Sequence, residues 1–140
     1  MQPKHSPSDL AAFRLEQARE CLRDAEALIA NGSFKGAANR SYYCIFQAMR
    51  AVLALESFDS KKHSGVISAF RQRYIKTGIF SVKHTKTIGK AFEVRNDSDY
   101  KDMYLVSKKD VAEQIENAKT FLAAVEEYVL PKLQEIEKSK

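Results

Sequence analysis

The stretch SKKDVAEQIENAKTFLAAVEEYVLPKLQEI, which spans residues 107–136, decides the fold class. Its apolar residues recur at intervals of four or three, which is the repeat of one face of an α-helix. Ser107 and Asp110 resemble a capping box with Asp in place of the usual Glu. The stretch predicts a long helix that packs along its neighbours, with a kink or loosened last turns at Pro131. The apolar stripe consists of Val111, Ile115, Ala118, Leu122, Val125, Val129, Leu133 and Ile136.

Four more helices are predicted upstream from the same spacing and from residues that begin or end helices. Asn31-Gly32 fits the end of the first helix, and Ser33 and Ser81 are placed to cap the second and the fourth. The polar run at residues 96–99 predicts fraying of the fourth helix. We predict these helices at about 8–30, 34–56, 63–76 and 82–97.

These segments together define the fold class. No segment alternates with the period of two residues that a half-buried β-strand shows. The prediction is an all-α fold, an up-and-down antiparallel helical bundle of four to five helices joined by short loops. The 140 residues are enough for a single domain, 1–140, with a helical core at about 8–130.

The composition excludes several protein classes. The two cysteines, Cys21 and Cys44, are too few for a disulfide framework and lie among apolar residues, so we expect two buried, reduced thiols. No apolar run approaches the roughly 18 residues of a membrane span. Residues 1–6 contain no apolar signal region. We therefore expect a cytoplasmic protein.

Positive charge is concentrated in one segment. The net charge is +5, but residues 60–92 contain eight Lys or Arg and no Asp or Glu. Such a segment is typical of a surface that binds phosphate, RNA or an acidic partner, although a solvated basic face without a ligand fits equally well. The eight residues are Lys61, Lys62, Arg71, Arg73, Lys76, Lys83, Lys86 and Lys90.

Residue spacing excludes several common site types. No Cys-x-x-Cys occurs, and none of His5, His63 and His84 has a Glu three residues before it. Neither structural zinc nor a ferritin-like metal site is therefore predicted. The five glycines are isolated and form no phosphate loop, and Gly-x-Ser-x-Gly is absent. We expect no metal and no cofactor.

Three groups of polar residues remain as candidates for ligand binding: one early in the second helix, one at the start of the third and one at the end of the fourth. Arg95 and Asp99, four apart on a helix, share a face, and the guanidinium fork of Arg suits phosphate or carboxylate. The alternative is structural, an exposed ion pair and hydrogen bonds between helices. The candidates are Asn39, Arg40, Tyr43, His63, Arg95, Asn96, Asp99 and Tyr100.

These groups lie within three short motifs. Residues 37–43 read AANRSYY, residues 62–67 read KHSGVI and residues 91–100 read AFEVRNDSDY. In this order, inside a helical pattern, the motifs resemble the HEPN family, a helical nucleotide-binding domain of prokaryotes and higher eukaryotes. The resemblance is to the compact, stand-alone bacterial and archaeal members.

The resemblance implies a fold, partners and an activity. The fold is an up-and-down bundle that forms a symmetric homodimer with the third motif near its interface. Relatives often pair with a minimal nucleotidyltransferase in a two-gene module of the toxin–antitoxin type. In one branch the helical protein is a toxin that cleaves RNA without a metal. There an Arg holds the phosphate, and a His that follows after four to six intervening residues helps the 2′-hydroxyl to attack.

This sequence departs from the ribonuclease motif at its second residue. Arg95-Asn96 matches the start of the motif, but Tyr100 stands where a His could stand, and no His follows His84. A Tyr with an ordinary pKa near 10 is a poor general base at neutral pH. The spacing gives no support for a role of His63 at this site.

The partner's target is also absent at the expected position. In some paired systems the nucleotidyltransferase adenylylates a Tyr just after the His, and Asp102 occupies that position here, with Tyr100 and Tyr104 as neighbours. The favoured interpretation is a non-catalytic, dimeric module that binds a nucleotide, RNA or a nucleotidyltransferase. The alternative is a metal-independent ribonuclease toxin with a non-standard active site, for which Arg95 is the candidate catalytic residue.

Overall fold

The computed structural model describes residues 6–101 and 103–139, and within them the chain forms α-helices and no strand. The all-α prediction is confirmed. Residues 1–5, Asp102 and Lys140 lie outside the described residues, as do the interpretations that concern His5 and Asp102. The helices are α1 (Pro7–Ala30), α2 (Phe34–Ala54), α3 (His63–Phe70), α4 (Lys83–Tyr100) and α5 (Lys108–Lys138), and a π-helical turn (Arg71–Ile75) continues α3.

The beginnings of α1 and α2 differ in how they are capped. At α1, the Ser6 hydroxyl accepts a hydrogen bond from the Asp9 backbone N–H at 3.1 Å, and the Asp9 carboxylate accepts one from the Ser6 N–H at 3.4 Å. This is a capping box. Ser33 precedes α2 as predicted, but its side chain makes no capping hydrogen bond. The N-terminal N–H groups of α2 therefore remain available to other acceptors.

The core forms where α2 packs between α1 and α5. Residues 42, 45, 49, 52 and 53 of α2 are all buried, as the apolar pattern predicts. On α5 the predicted stripe is buried from Val111 to Val129, whereas Leu133 is half-buried and Ile136 is 37% exposed. The helix continues through Pro131 to Lys138, so the proline does not end it. Because the last turns lie at the surface, water can bind the carbonyl that the proline leaves unpaired.

Two other predictions about the helices need correction. The predicted helix at 63–76 is α3 with a wider π-helical turn at Arg71–Ile75, which sequence periodicity does not reveal. The predicted fraying at residues 96–99 is wrong, because α4 continues to Tyr100. Ion pairs along the helix, including Lys101 with Asp97 at 3.2 Å, stabilise this polar end.

Buried polar and thiol groups complete the interior. The Gln114 side-chain amide donates to the Ala38 carbonyl at 3.0 Å and to the Ser41 hydroxyl at 2.8 Å, which joins α5 to α2. Cys21 and Cys44 are free and buried, as predicted, and burial raises the pKa of both thiols. None of the helices formed by the described residues has the length and apolar character needed to cross a membrane.

Candidate functional site

A cavity of about 380 Å³ opens where the end of α1 and the start of α2 meet the end of α4. It brings together the first and third groups of predicted residues, which are far apart in the sequence. Its lining contains three cationic side chains and one carboxylate, so its charge favours an anion. The lining residues are Leu28, Lys35, Gly36, Asn39, Arg40, Arg95, Ser98 and Asp99.

Arg40 is held in place by two neighbours on α2. Its Nε and Nη2 atoms donate hydrogen bonds to the Asn39 side-chain oxygen at 3.1 and 2.8 Å. Its guanidinium carbon lies 4.9 Å from the centre of the Tyr43 ring, which is a cation–π distance. Asn39 and Tyr43 therefore fix the position of a cation at the cavity wall.

Arg95 reaches the same cavity from α4. Its guanidinium carbon lies 5.5 Å from the centre of the Tyr42 ring and 5.7 Å from that of the Tyr43 ring. Its Nε is 3.5 Å from a carboxylate oxygen of Asp99, an ion pair whose geometry is too poor for a hydrogen bond. The Nε of Arg95 and the hydroxyl of Ser98 are both buried without a hydrogen-bond partner in the protein. Unsatisfied buried polar atoms of this kind are uncommon in folded proteins.

His63 lies beside these residues although it is distant from Arg95 in the sequence. Its Nδ1 is 2.7 Å from the Tyr42 hydroxyl, and its ring stacks on Phe46 with 4.1 Å between centres. Burial lowers the pKa of His63, and the positive charges of Arg95 and Arg50 lower it further. The imidazole is therefore neutral near pH 7. Residue spacing gave no support for this proximity, although His63 was among the predicted candidates.

Four predicted residues do not line the cavity: Tyr43, His63, Asn96 and Tyr100. Asn96 is half-buried and lies on another side of α4. Tyr100 is the last residue of α4 and is 78% exposed. An α-helix turns by about 100° per residue, so Tyr100 lies about 140° away from Arg95 around the helix. The structure therefore separates Tyr100 from the group of candidates in which the sequence placed it.

Four lining residues were not among the predicted candidates: Leu28, Lys35, Gly36 and Ser98. Lys35 is four residues before Asn39 and so shares its face of α2, a signal that was available. At Gly36 an added Cβ would come within 3.3 Å of Leu28, so the glycine widens the cavity. Ser98 lay inside a polar run that gave no reason to single it out. Among the described residues, no three His, Cys, Asp or Glu side chains are grouped so that they could hold a metal ion.

The sequence of this chain is similar to a model of one domain family and to several known proteins. A sequence model of the HEPN domain matches residues 11–128. A UPF0332 protein of Thermotoga maritima is 35% identical over 113 residues, which cover 81% of this chain and 86% of that protein. A protein of Methanocaldococcus jannaschii named "Putative toxin MJ0142" is 28% identical over 84% of this chain and 80% of its own length. A second protein of that organism with a toxin name, MJ0605, is 33% identical over 61% of this chain and 64% of its own length.

Proposed function

This chain belongs to the HEPN domain family, and on that premise we propose that it is a toxin-like component of a toxin–antitoxin-type module that binds a nucleotide or RNA. The ligand's phosphate lies in the cavity between α2 and α4. One observation carries the proposal: Arg40 and Arg95 converge on this cavity, whose lining has three cationic side chains and a single carboxylate.

The chemistry of the lining suits a phosphate group. A guanidinium offers parallel N–H donors that match two phosphate oxygens, and Arg40 and Arg95 are both half-buried, which strengthens such bonds. The half-buried ring of Tyr43 lies against both guanidinium groups. A base next to the phosphate can stack on such an aromatic ring.

The names of two relatives support the toxin-like assignment, since both Methanocaldococcus jannaschii proteins carry toxin names. We propose in addition that the protein forms a homodimer and pairs with a minimal nucleotidyltransferase. Light scattering after size-exclusion chromatography tests the first, and a monomer at micromolar concentration would contradict it. Co-purification with the product of a neighbouring nucleotidyltransferase gene tests the second, and independent elution of the two proteins would contradict it.

Calorimetric titration tests the binding site. Adenosine monophosphate and a short single-stranded RNA should bind, and Arg95→Gln or Arg40→Gln should weaken binding at least about tenfold, because each removes a charge-assisted phosphate contact. Lys132→Gln is the control with the same change of net charge. Lys132 lies on α5 roughly 30 Å along the helix from Val111, which packs near the cavity. Equal affinities for the variants and the control would contradict the proposal.

A second function is favoured by the position of His63. When Nδ1–H donates to the Tyr42 hydroxyl, Nε2 carries a lone pair and can take the proton of an RNA 2′-hydroxyl while Arg95 holds the phosphate. The 2′-oxygen then bonds to phosphorus and the bond to the 5′-oxygen breaks. The 5′-oxygen takes a proton from solvent, which leaves a 2′,3′-cyclic phosphate and a 5′-hydroxyl. Arg95 would be the phosphate-binding catalytic residue of this metal-independent ribonuclease.

Induced expression in a bacterium tests this second function. Growth arrest in the bacterium, together with RNA cleavage by the purified protein that persists when a metal chelator is added, would support it. Both effects should be lost in Arg95→Ala and in His63→Gln. Harmless expression of the native chain would contradict it. Activity that survives His63→Gln would exclude His63 as the base.

A further inference from the structure

A second cavity, of about 620 Å³, lies between α3, the π-helical turn and α4. Two of its lining residues lie near Tyr42 and His63. Phe92 lines it while its ring centre lies 6.2 Å from that of Tyr42, and Ser64 lines it next to His63 in the chain. The lining residues are Ser64, Ile67, Ser68, Arg71, Gln72, Ile75, Lys76, Thr85, Gly89 and Phe92.

Arg71 is the central cation of this cavity. Its Nη2 donates a hydrogen bond to the Thr85 carbonyl at 3.2 Å, which holds the guanidinium against α4, and its Nε is buried without a partner. Within residues 6–101 and 103–139, no carboxylate forms an ion pair with Arg71. A half-buried cation without a counter-ion is costly, and an anionic ligand would relieve that cost.

The neighbouring Arg73 differs from Arg71 in having a carboxylate partner. Both arginines lie in the same π-helical turn, but Arg73 donates to the Glu56 carboxylate at 3.0 Å and its guanidinium lies 4.4 Å from the centre of the Phe58 ring. Its charge is thus already neutralised by the protein. Arg71 and Arg73 form a matched pair in which one cation is satisfied and the other is not.

The remaining lining favours a phosphate ester over a simple apolar ligand. Lys76 adds a second positive charge, hydroxyl groups come from residues 64, 68 and 85, and Gln72 adds an amide. No Asp or Glu occurs in residues 60–92 to oppose them. Ile67, Ile75 and Phe92 supply an apolar wall against which a ring can pack. The volume also lies in the range of small-molecule sites.

We infer that this second cavity is a phosphate subsite for the same ligand that binds at Arg95, and that the ligand is a nucleic-acid strand rather than a mononucleotide. The inference rests on the proposed function for the first site. One phosphate of the strand binds at Arg95 and another at Arg71, and the strand between them passes His63 and Phe92. A mononucleotide occupies the first site alone.

Fluorescence anisotropy tests this inference with adenosine monophosphate as a competitor and a labelled single-stranded octanucleotide as the ligand. The octanucleotide should bind at least about tenfold more tightly than the mononucleotide. Arg71→Gln should remove most of that gain and leave mononucleotide binding unchanged. It should also lower the slope of log affinity against log salt by about 0.7, the value for one phosphate contact of a single strand. Arg73→Gln, with the same change of net charge, should leave both quantities near wild type.

The Arg71→Lys variant controls for a loss of binding that is caused by misfolding. It loses the bond to Thr85 but keeps the charge, so it should preserve the salt slope. Equal effects of Arg71→Gln and Arg73→Gln would overturn the inference, as would an octanucleotide that binds no more tightly than the mononucleotide. Inorganic phosphate that competes as well as the strand would reduce the cavity to a free-phosphate site. If Arg95→Gln has no effect while Arg71→Gln weakens strand binding, the proposed function of the first site fails separately.

Discussion

The Tyr42 hydroxyl lies 2.7 Å from Nδ1 of His63, and this hydrogen bond joins the middle of α2 to the first residue of α3. Tyr42 is fully buried. Burial raises the pKa of its hydroxyl far above the ordinary value, although the charge of Arg95 opposes the shift. The hydroxyl is therefore protonated at every physiological pH, and it fixes the orientation of the imidazole beside Arg95.

Removing this hydroxyl should destabilise the fold. Tyr42→Phe keeps the buried ring but deletes the hydrogen bond, and we expect the free energy of unfolding to fall by about 1 kcal/mol. Urea denaturation measures the change. Tyr43→Phe is the control, because Tyr43 is half-buried and its hydroxyl makes no hydrogen bond within the described part of the protein. A Tyr42→Phe variant as stable as wild type would show that the bond contributes nothing.

The stability should fall as the solution becomes mildly acidic. Burial lowers the pKa of both His63 and His84 below the ordinary value of 6.5, and nearby cations, Arg95 and Lys83 among them, add to the effect. The unfolded chain therefore binds more protons below about pH 6.5, so stability is complete above that value and declines as pH falls toward the lower native pKa values.

Urea denaturation at about pH 7.5 and about pH 5.5 measures this decline. The double variant His63→Gln/His84→Gln should show a smaller difference between the two pH values than wild type, whatever its absolute stability. A difference as large as that of wild type would assign the acid sensitivity to other groups.

The buried amide between α2 and α5 should also contribute to stability. Gln114→Leu leaves the Ser41 hydroxyl and the Ala38 carbonyl without their partner from α5, and we expect a loss of about 1–2 kcal/mol. Thermal unfolding measures it. Asn117→Ala, at a half-buried position of the same helix, should change stability by less than about 0.5 kcal/mol. Similar losses for the two variants would argue against a specific role of Gln114.

Replacing Gly89 by alanine should raise the stability of the protein and weaken ligand binding. Glycine inside a helix costs about 0.5–1 kcal/mol relative to alanine, so Gly89→Ala should stabilise α4. The new Cβ would approach Nη2 of Arg71 to 3.1 Å and displace the guanidinium from the Thr85 carbonyl. We expect weaker binding of the octanucleotide, and no such effect when Gly89→Ala is added to Arg71→Gln. Weaker binding that persists in the double variant would contradict this coupling.

Apolar periodicity predicts the helices well because it reports burial directly. The stripe from Val111 to Val129 is buried as expected, and Ser107 caps α5 through its hydroxyl. The end of α4 was mispredicted because residues 96–99 favour non-helical hydrogen bonds in isolation. Ion pairs and packing that span several turns reverse this preference.

The site was harder to predict because it depends on contacts between distant segments. Asn39, Arg40, Arg95 and Asp99 were chosen for their chemistry, and they line one cavity. The proximity of His63 to Arg95 could not be predicted, because local spacing contains no information about which helices become neighbours. The buried Tyr42 supplies that link, through its hydrogen bond to His63 and its contact with Arg95.

The π-helical turn at Arg71–Ile75 determines how the protein tolerates a change in the number of its residues. A π-turn contains one residue more than an α-turn at the same place. Deleting a residue there would restore ordinary α-geometry, and the residues before and after the turn would keep nearly the same relative orientation. A deletion in an ordinary α-helical turn would instead rotate the residues before it by about 100° relative to those after it. The π-helical turn is therefore the place in this helix where the chain can change by one residue with the least effect on the direction of His63 and Ser64.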